Sequence, residues 1–251
     1  MVRILLSNDD GIASEGLRAL YDAVSGLGET IVVAPDREQS VASHSLTLHR
    51  PLRIQSAGND WFAVDGTPAD CINLALNGMF KDRRPNIVLS GINKGGNLGD
   101  DVTYSGTVAA AMEATLLGVP SAAISLVHEN GEPLNFELAA SFAPKILREI
   151  LDRGLGEGVL LNVNVPNIPV KDCRGVRVTR QGRRVYGNGI VEKVDPRGRE
   201  YYWIGGSGLN WVREPGTDFE AVTENAISVT PLRLDMTDFD FMGDIEKWTF
   251  E

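Results

Sequence analysis

Residues 2–11 read VRILLSNDDG, and this stretch decides the fold. Its first half, residues 2–6, is rich in leucine and β-branched side chains, which is typical of a strand buried on both faces of a parallel sheet. The strand ends at an acidic turn. Ser14 then stands where a helix cap is expected, because apolar residues follow it at helical spacing. Residues 30–34 read as the next strand, so the chain begins with a predicted strand, helix and strand unit.

The same alternation continues as far as residue 166. Strands are predicted at 86–90, 121–126 and 159–165, and helices at 108–117 and 134–151, the second with a kink or break at Pro144. Strands that alternate with helices predict an α/β fold with a mostly parallel, doubly wound sheet.

Beyond residue 166 turn residues become frequent and helical periodicity disappears. Strands are predicted at 176–180, 190–194 and 200–204, and the turn at 195–198 joins the last two into a β-hairpin arm. An arm this narrow cannot bury its own faces, so we expect it to pack on the body or, as we favour, on a second subunit. The simplest organisation is one domain, 1–251, with a core at about 1–180, an arm at about 183–213, and a C-terminal strand and tail at about 219–251.

The composition excludes several classes of protein. The 251 residues carry a formal net charge of −10, so we expect no binding to nucleic acid polymers and no attachment to membranes by charge. Two distant cysteines and three histidines exclude zinc ribbons and disulfide scaffolds, and they favour a reducing compartment. No apolar run approaches the roughly 20 residues that span a bilayer, and the N-terminus lacks the pattern of a secretion signal. The expected location is cytoplasmic.

Asp9 and Asp10 directly follow the first strand, and ligands of open parallel sheets bind beyond the carboxyl ends of the strands. Two adjacent carboxylates need a counter-charge, and Mg²⁺ or Mn²⁺ prefers such oxygen ligands. The alternative, that both are only turn and cap residues, is about equally supported by the dipeptide alone. The segment at 34–40 leaves the second strand at the same edge of the sheet, so Ser40 could add a hydroxyl ligand.

Residues 90–101, SGINKGGNLGDD, form a second candidate, a predicted loop after a buried strand. Glycine lets backbone N–H groups approach an anion, and Asn93 and Asn97 add polar groups. The segment matches neither the nucleoside triphosphate motif nor the dinucleotide motif. Ser105 or Thr107 can cap the helix that follows, whose N-terminal N–H groups and dipole favour a phosphate. An ordinary surface loop and a plain helix cap are the alternatives.

Other residues favour structural roles. His44 stands alone near a turn and is left out of the site. Thr67 and Pro68 read as the cap and the first residue of a helix, which makes Cys71 a core residue. Five arginines form the only basic concentration, and they could meet an anionic substrate or lie on a solvated or subunit-facing strand edge. They are Arg174, Arg177, Arg180, Arg183 and Arg184. No motif for a nucleophilic triad or a zincin is present, so water is the expected nucleophile.

Several long blocks of the sequence resemble the SurE (survival protein E) family. ILLSNDDG and VAPDREQS occupy residues 4–11 and 33–40, and SGINKGGNLGDDVTYSGTVAAAME occupies 90–113. Further blocks are GTPADC, NVNVP, VTRQG, DPRGREYYWIG, GTDF and ISVTPL, so the resemblance spans essentially the whole chain. The departures are Ala114, where glycine is usual, and Thr103, where an apolar residue is usual. Neither lies at a ligand position.

The resemblance implies a Rossmann-like body that binds one divalent metal ion and hydrolyses nucleoside 5′- and 3′-monophosphates, with short polyphosphate as a substrate of some members. It places the metal ligands on Asp9, Asp10, Ser40 and Asn93, and the phosphate contacts on Asn97, Ser105, Gly106 and Thr107. Mg²⁺ or Mn²⁺ is the expected ion, with Ca²⁺ as a substitute in crystals. The resemblance also implies a homodimer or homotetramer in which subunits exchange the arm at 185–211 and a helix-like tail segment at 244–250.

Together these features predict a metal-dependent phosphomonoesterase. The ion would lower the pKa of a bound water, and Asp9 or Asp10 would orient or deprotonate that water. Asn97 and residues 105–107 would hold the non-bridging phosphate oxygens. One alternative is a metal-dependent nucleoside hydrolase, although the fuller N-terminal pattern of spaced aspartates is missing. The other is a metal- and nucleotide-binding protein without catalytic activity. The sequence does not indicate which base is preferred, or whether 5′- or 3′-nucleotides are the better substrates.

Overall fold

The fold is described from a computed structural model, which covers residues 1–129, 131–185, 189–204 and 210–250. The strands are β1 (Arg3–Ser7), β2 (Glu29–Pro35), β3 (Ile54–Gly58), β4 (Trp61–Val64), β5 (Ile87–Lys94), β6 (Ser121–Val127), β7 (Val159–Pro166), β8 (Val176–Val178), β9 (Ile190–Val194), β10 (Glu200–Ile204) and β11 (Ile227–Arg233). Within the described ranges, nine of them form one sheet in the order β3-β4-β2-β1-β5-β6-β7-β11-β8.

The sheet is mostly parallel. β1 pairs in parallel with β2 on one side and with β5 on the other, and β6 and β7 continue the parallel run. Antiparallel pairing occurs between β3 and β4 and between β7 and β11. The predicted α/β fold with a mostly parallel sheet is confirmed.

Helices cover both faces of the sheet. The helices are α1 (Glu15–Val24), α2 (Pro68–Leu74), α3 (Gly106–Leu116), α4 (Glu137–Arg153), α5 (Asp218–Thr223) and α6 (Phe239–Ile245). Helix α6 lies in the tail and buries none of its residues. Alternate residues of β1 face opposite ways, so Ile4 and Leu6 pack in the cluster that contains residues of α1 and α4, while Leu5 packs with α2 and α3. The doubly wound arrangement follows from this division, and Cys71 is fully buried in the second cluster, as predicted.

The structure differs from two of the predictions for this part of the chain. α4 runs through Pro144 without a break, because burial of Leu138, Phe142 and Ile146 on one face outweighs a single missing N–H group. β5 continues to Lys94, so residues 90–94 are strand and not loop. Gly91 makes this extension feasible, since its φ of +136° suits glycine and a Cβ there would collide with the carbonyl of Ile124 on β6.

The C-terminal third contains the predicted hairpin. β9 and β10 pair in an antiparallel register that places Tyr201 opposite Lys193, and all their residues are exposed. Residues 186–188 and 205–209 of the predicted arm lie outside the described residues.

The predicted position of the tail helix was wrong. Helix α6 spans Phe239–Ile245, not 244–250, because the Asp238 side chain caps it by accepting a hydrogen bond from Phe241 N–H. In the described part of the chain no helix has the length and hydropathy needed to cross a membrane.

Candidate metal and phosphate site

Three chain segments meet at the carboxyl ends of the central strands. β2, β1 and β5 are adjacent and parallel, so the chain leaves all three at one edge of the sheet. The backbone N–H of Gln39 donates to the carbonyl of Asp9 at 2.8 Å, which places the residue next to Ser40 against the end of β1. The backbone N–H of Lys94 donates to Asp10 Oδ2 at 3.0 Å. The structure therefore brings together the segments that carry the four predicted metal ligands.

Asp9 lies between β1 and the first turn of α3. The residue is only 6% exposed, and its carboxylate accepts a hydrogen bond from the Thr107 hydroxyl. Gly106 approaches so closely that a Cβ there would lie 2.7 Å from the Cβ of Asp9 and 2.9 Å from its Oδ2. Burial is the main reason that the pKa of Asp9 is raised to about 6; the charge of Asp10 adds to the rise, and the Thr107 hydrogen bond opposes it.

Asp10 belongs to a chain of charged contacts at the rim. Burial raises the pKa of Asp10, against the hydrogen bond and the charge of Lys94, whose Nζ lies 3.5 Å from Asp10 Oδ1. The same ammonium lies 3.1 Å from Glu38 Oε2, and the exposed Ser40 hydroxyl donates to Glu38 Oε1 at 2.7 Å. The sequence did not indicate that Glu38 and Lys94 belong to the site, although both lie in the blocks quoted above. A single exposed charged residue has no sequence pattern that marks it as part of a site.

The donor set fits a hard divalent cation. Asn93 donates from Nδ2 to the carbonyl of Gly95 at 2.7 Å, which directs the amide nitrogen away and leaves Oδ1 as the possible ligand atom. Two carboxylates, an amide oxygen and a hydroxyl are the ligands that Mg²⁺ or Mn²⁺ prefers. Burial is the main cause of the raised pKa of both aspartates, so their ionised forms would gain from a bound cation. No group of three or more His, Cys, Asp and Glu arranged for a metal occurs among the described residues, and the predicted set holds only two such residues.

Unpartnered polar atoms lie close in sequence to the predicted metal ligands. The hydroxyls of Ser7 and Ser90 belong to residues paired across β1 and β5, and both are buried without a hydrogen-bond partner among the described residues, as is Asn8 Oδ1. Buried polar groups are normally satisfied, and an ion with its water is one common partner. These atoms therefore add to the fit of the site to a bound cation.

The N-terminus of α3 has the form of an anion cradle. Ser105 caps the helix, since its Oγ accepts from the N–H of Val108 at 3.0 Å, and Thr107 is fully buried with its hydroxyl on Asp9. Both hydroxyls are thus engaged within the protein. The backbone of the first turn and the dipole of this 11-residue helix are what an anion would meet.

Asn97 is held in a buried polar network. Its backbone N–H donates to Asn164 Oδ1 at 2.9 Å, its Nδ2 donates to Ser125 Oγ at 2.8 Å, and its carbonyl accepts from Asn162 Nδ2 at 2.8 Å. These contacts anchor the loop between β5 and α3 to β6 and β7. The asparagines of NVNVP were missed as network residues, although two polar residues inside an otherwise apolar strand are a usable signal. The contact between Asn97 and phosphate stays a prediction.

A second pair was also missed. His44 Nε2 lies 2.7 Å from Glu113 Oε2, and Asn73 Nδ2 donates to Glu113 Oε1 at 2.7 Å. Glu113 is buried in α3, and the hydrogen bond with His44 lowers its pKa. Ser43 donates from its hydroxyl to the carbonyl of Thr103. Together these contacts fasten the segment after Ser40 to α3, which gives His44 a structural role. One glutamate among the apolar residues of α3 could have indicated a buried partner.

The arginine cluster pairs with acidic neighbours. Arg180 and Arg183 both contact Glu214, at 2.8 and 2.7 Å, and Arg177 contacts Glu224 at 2.6 Å. Arg184 pairs with Asp101. These contacts favour a solvated or subunit-facing strand edge over a role in binding an anionic substrate.

A family model for survival protein SurE matches residues 4–188. The chain belongs to the SurE family. It is similar to 5′-nucleotidase SurE of Geotalea daltonii, with 52% identity over 98% of the chain and 99% of the relative, and to that of Myxococcus xanthus, with 55% identity over 98% and 93%. The SurE protein from Aquifex aeolicus has a similar structure, with a TM-score of 0.88, 44% identity and coverage of 97% and 98%.

These relatives bear on the alternatives left open by the sequence. Both relatives from Geotalea daltonii and Myxococcus xanthus are named 5′-nucleotidase SurE, and the chain matches nearly the full length of each. The predicted resemblance to the SurE family is therefore confirmed, and neither the nucleoside hydrolase nor the non-catalytic binding protein is favoured.

Proposed function

We propose that this SurE family member is a metal-dependent 5′-nucleotidase, a phosphoric monoester hydrolase that converts nucleoside monophosphates to nucleoside and phosphate. The contact of Asp9 with Gly106 and Thr107 carries the proposal, because a predicted metal-ligand carboxylate there touches the predicted phosphate cradle. A phosphate held at the N-terminus of α3 would therefore lie beside the cation. The full-length relatives with the same activity support this assignment.

The metal site consists of Asp9, Asp10, Ser40 and Asn93 in this proposal. When bound, a divalent cation supplies positive charge for a phosphate oxygen and lowers the pKa of a water. Mg²⁺ and Mn²⁺ suit the oxygen donors equally well, and Ca²⁺ is an expected substitute in crystals. Ser40 must turn from Glu38 to act as a ligand, since its hydroxyl now donates to that carboxylate.

The protein residues would bind and orient the reactants. Asp9 or Asp10 would accept the proton of the attacking water, and the contacts of Asp9 with Gly106 and Thr107 would hold its carboxylate beside the proposed phosphate position. The backbone of residues 105–107, with Asn97 nearby, faces the non-bridging oxygens, and this preorganised cradle stabilises the charge that develops on them. Hydrolysis of 3′-nucleotides and of short polyphosphate would use the same cradle.

The surroundings of the site are also part of the proposal. We expect a homodimer or homotetramer, because the arm of β9 and β10 exposes Tyr202 and Trp203 and the tail exposes Phe239 and Trp248. We expect one domain with the arm and the tail as appendages, in the cytoplasm, without nucleic acid polymers or membranes as partners.

Phosphate release tests the proposal. The protein is stripped with a chelator, and release of phosphate from adenosine 5′-monophosphate is measured before and after Mg²⁺ or Mn²⁺ is returned. We expect activity to require the metal and to be lost in Asp9→Asn. Asp22→Asn, an exposed aspartate on α1, is the matched control and should keep wild-type rates. Metal-independent hydrolysis, or release of free base in place of phosphate, would contradict the proposed function.

A further inference from the structure

The candidate site lies where the sheet changes the direction of its crossovers. β1 and β5 are neighbours, yet the chain passes from β1 to α1 on one face and from β5 to α3 on the other. Such a switch point opens a crevice at the carboxyl ends of the strands. On the α3 side of the crevice Asp9 contacts Thr107 in the first turn of α3, where the phosphate position is proposed. Space for the rest of a ligand is therefore expected on the α1 side.

A cavity of about 370 Å³ lies on that side. Asp10 and Lys94 line it, so it opens directly beside the predicted metal ligands. Its volume lies within the range of about 300–1,000 Å³ that is typical of sites for small molecules. None of the four predicted phosphate contacts lines it, so it is a separate compartment of the same crevice.

The walls of the cavity have a mixed character. Ile12, Leu134 and Phe136 provide apolar surface with one aromatic ring, while Asp36 and Arg37 add polar groups to the lining. A nucleoside has the matching chemistry, because its base presents a flat π-face and its ribose carries hydroxyl groups. Aromatic and apolar side chains can stack on any base, because every base has a π-face and stacking does not depend on its hydrogen-bonding groups.

The cavity is preformed. The N–H of Ile12 donates to the carbonyl of Pro35 at 2.8 Å, and Asn8 Nδ2 donates to Ser14 Oγ at 2.7 Å, so the turn that forms its floor is fixed. The Phe136 ring packs closely against α1, since a Cβ built on Gly16 would lie 3.1 Å from it. A preformed site binds its ligand without the cost of ordering loops.

We propose that this cavity binds the nucleoside of the substrate, while the phosphate lies on the α3 side of Asp9 and Asp10. The inference rests on the proposed nucleotidase activity. The substrate then spans the switch point, with its scissile ester bond above the two aspartates. Leu134 and Phe136 contact the base, and the Asp36 carboxylate accepts hydrogen bonds from ribose hydroxyls.

Two substitutions test the cavity. Ala13→Trp fills it from the exposed turn before α1, and Leu134→Ala removes part of its apolar wall. Leu116→Ala, an exposed leucine at the far end of α3, is the matched control. The metal-loaded protein is assayed with adenosine 5′-monophosphate and with glycerol 2-phosphate, which has no base. We expect the ratio of kcat/KM for the nucleotide to that for glycerol 2-phosphate to fall about tenfold, through KM, in both cavity variants and not in the control.

Binding of adenosine alone gives an independent measurement. Calorimetry should show a dissociation constant for adenosine that rises about tenfold in Ala13→Trp relative to the wild type. An unchanged substrate ratio together with unchanged adenosine binding would overturn the inference. A change in oligomeric state with an unchanged ratio would also overturn it, since a second copy would then occupy the cavity. Failure of the wild type to release phosphate would refute the proposed function, and adenosine binding would still decide the cavity.

Discussion

The substitution Asp9→Asn should raise the free energy of unfolding of the metal-free protein. In the presence of metal the same substitution should abolish activity. Asp9 is buried beside a second carboxylate, and its pKa is raised from 3.8 to about 6. The folded protein therefore disfavours the ionised side chain that the proposed function needs. Asparagine keeps the shape and can still accept the Thr107 hydrogen bond, but it carries no charge.

The size of the effect follows from the pKa shift. Between pH 3.8 and pH 6 the folded protein holds a proton on Asp9 that the unfolded chain has released. The contribution of Asp9 to the free energy of unfolding consequently falls as pH rises through this interval, and it stays low above it. A rise of about two pKa units corresponds to about 3 kcal/mol. We expect Asp9→Asn to be more stable than the wild type by up to that amount at pH 7.5, and by nearly nothing at pH 3.5.

Urea denaturation in the presence of a chelator measures the difference. Wild type, Asp9→Asn and the exposed control Asp22→Asn are unfolded at several pH values between 3.5 and 8, and only the difference between each variant and the wild type is interpreted. Addition of Mn²⁺ should then stabilise the wild type much more than Asp9→Asn. The reasoning is refuted if Asp9→Asn is less stable than the wild type at pH 7.5, or if the difference does not depend on pH.

Three further outcomes are expected from the contacts around the site. Gly106→Ala places a Cβ 2.7 Å from the Cβ of Asp9, so the carboxylate must move, and phosphate release should fall about 100-fold. Lys94→Met removes an ammonium that competes with the cation, and calorimetry should show metal affinity up to about fivefold higher, a modest gain because this ammonium is well exposed. His44→Ala deprives the buried Glu113 carboxylate of a hydrogen bond, and the free energy of unfolding should fall by about 1–3 kcal/mol.

Each of these outcomes has its own control. Gly78→Ala introduces a Cβ with no atom within 4 Å and should leave phosphate release unchanged. Lys145→Met removes an exposed ammonium on α4 and should not alter metal affinity. His44→Asn retains a polar group and should recover part of the lost stability. Wild-type turnover in Gly106→Ala, or weaker metal binding in Lys94→Met, would contradict the roles given to these residues.

The fold was predictable where the sequence has local periodicity. Apolar runs separated by turn and cap residues predicted β1, α1 and β2. The cap is confirmed, since the Ser14 side chain accepts a hydrogen bond from Leu17 N–H at the start of α1. β3 was missed because all five of its residues are exposed and no buried face alternates along it. The extension of β5 to Lys94 was missed for a different reason, since it depends on the close approach of Gly91 to β6, which lies far away in sequence.

The candidate site was predictable only as a set of segments. Adjacent carboxylates at a strand end and a serine before a helix are local patterns, and parallel strands bring such ends together. Contacts between segments leave no local pattern. The pairing of His44 with Glu113 joins residues 69 positions apart, and the bond of Asn97 with Asn164 joins residues 67 apart. Which side chains fasten the loops therefore became visible only with the structure.

Close packing explains how two unfavourable carboxylates can be held in place. Gly16 lets α1 approach the carbonyl of Ile92 on β5, and Gly106 lets α3 approach Asp9, in both cases nearer than any side chain would allow. The helices on the two faces thus fix the ends of β1 and β5 without help from a cation. Binding of the metal then changes the charge of the site far more than its shape, and the stability lost at Asp9 becomes affinity for a dication.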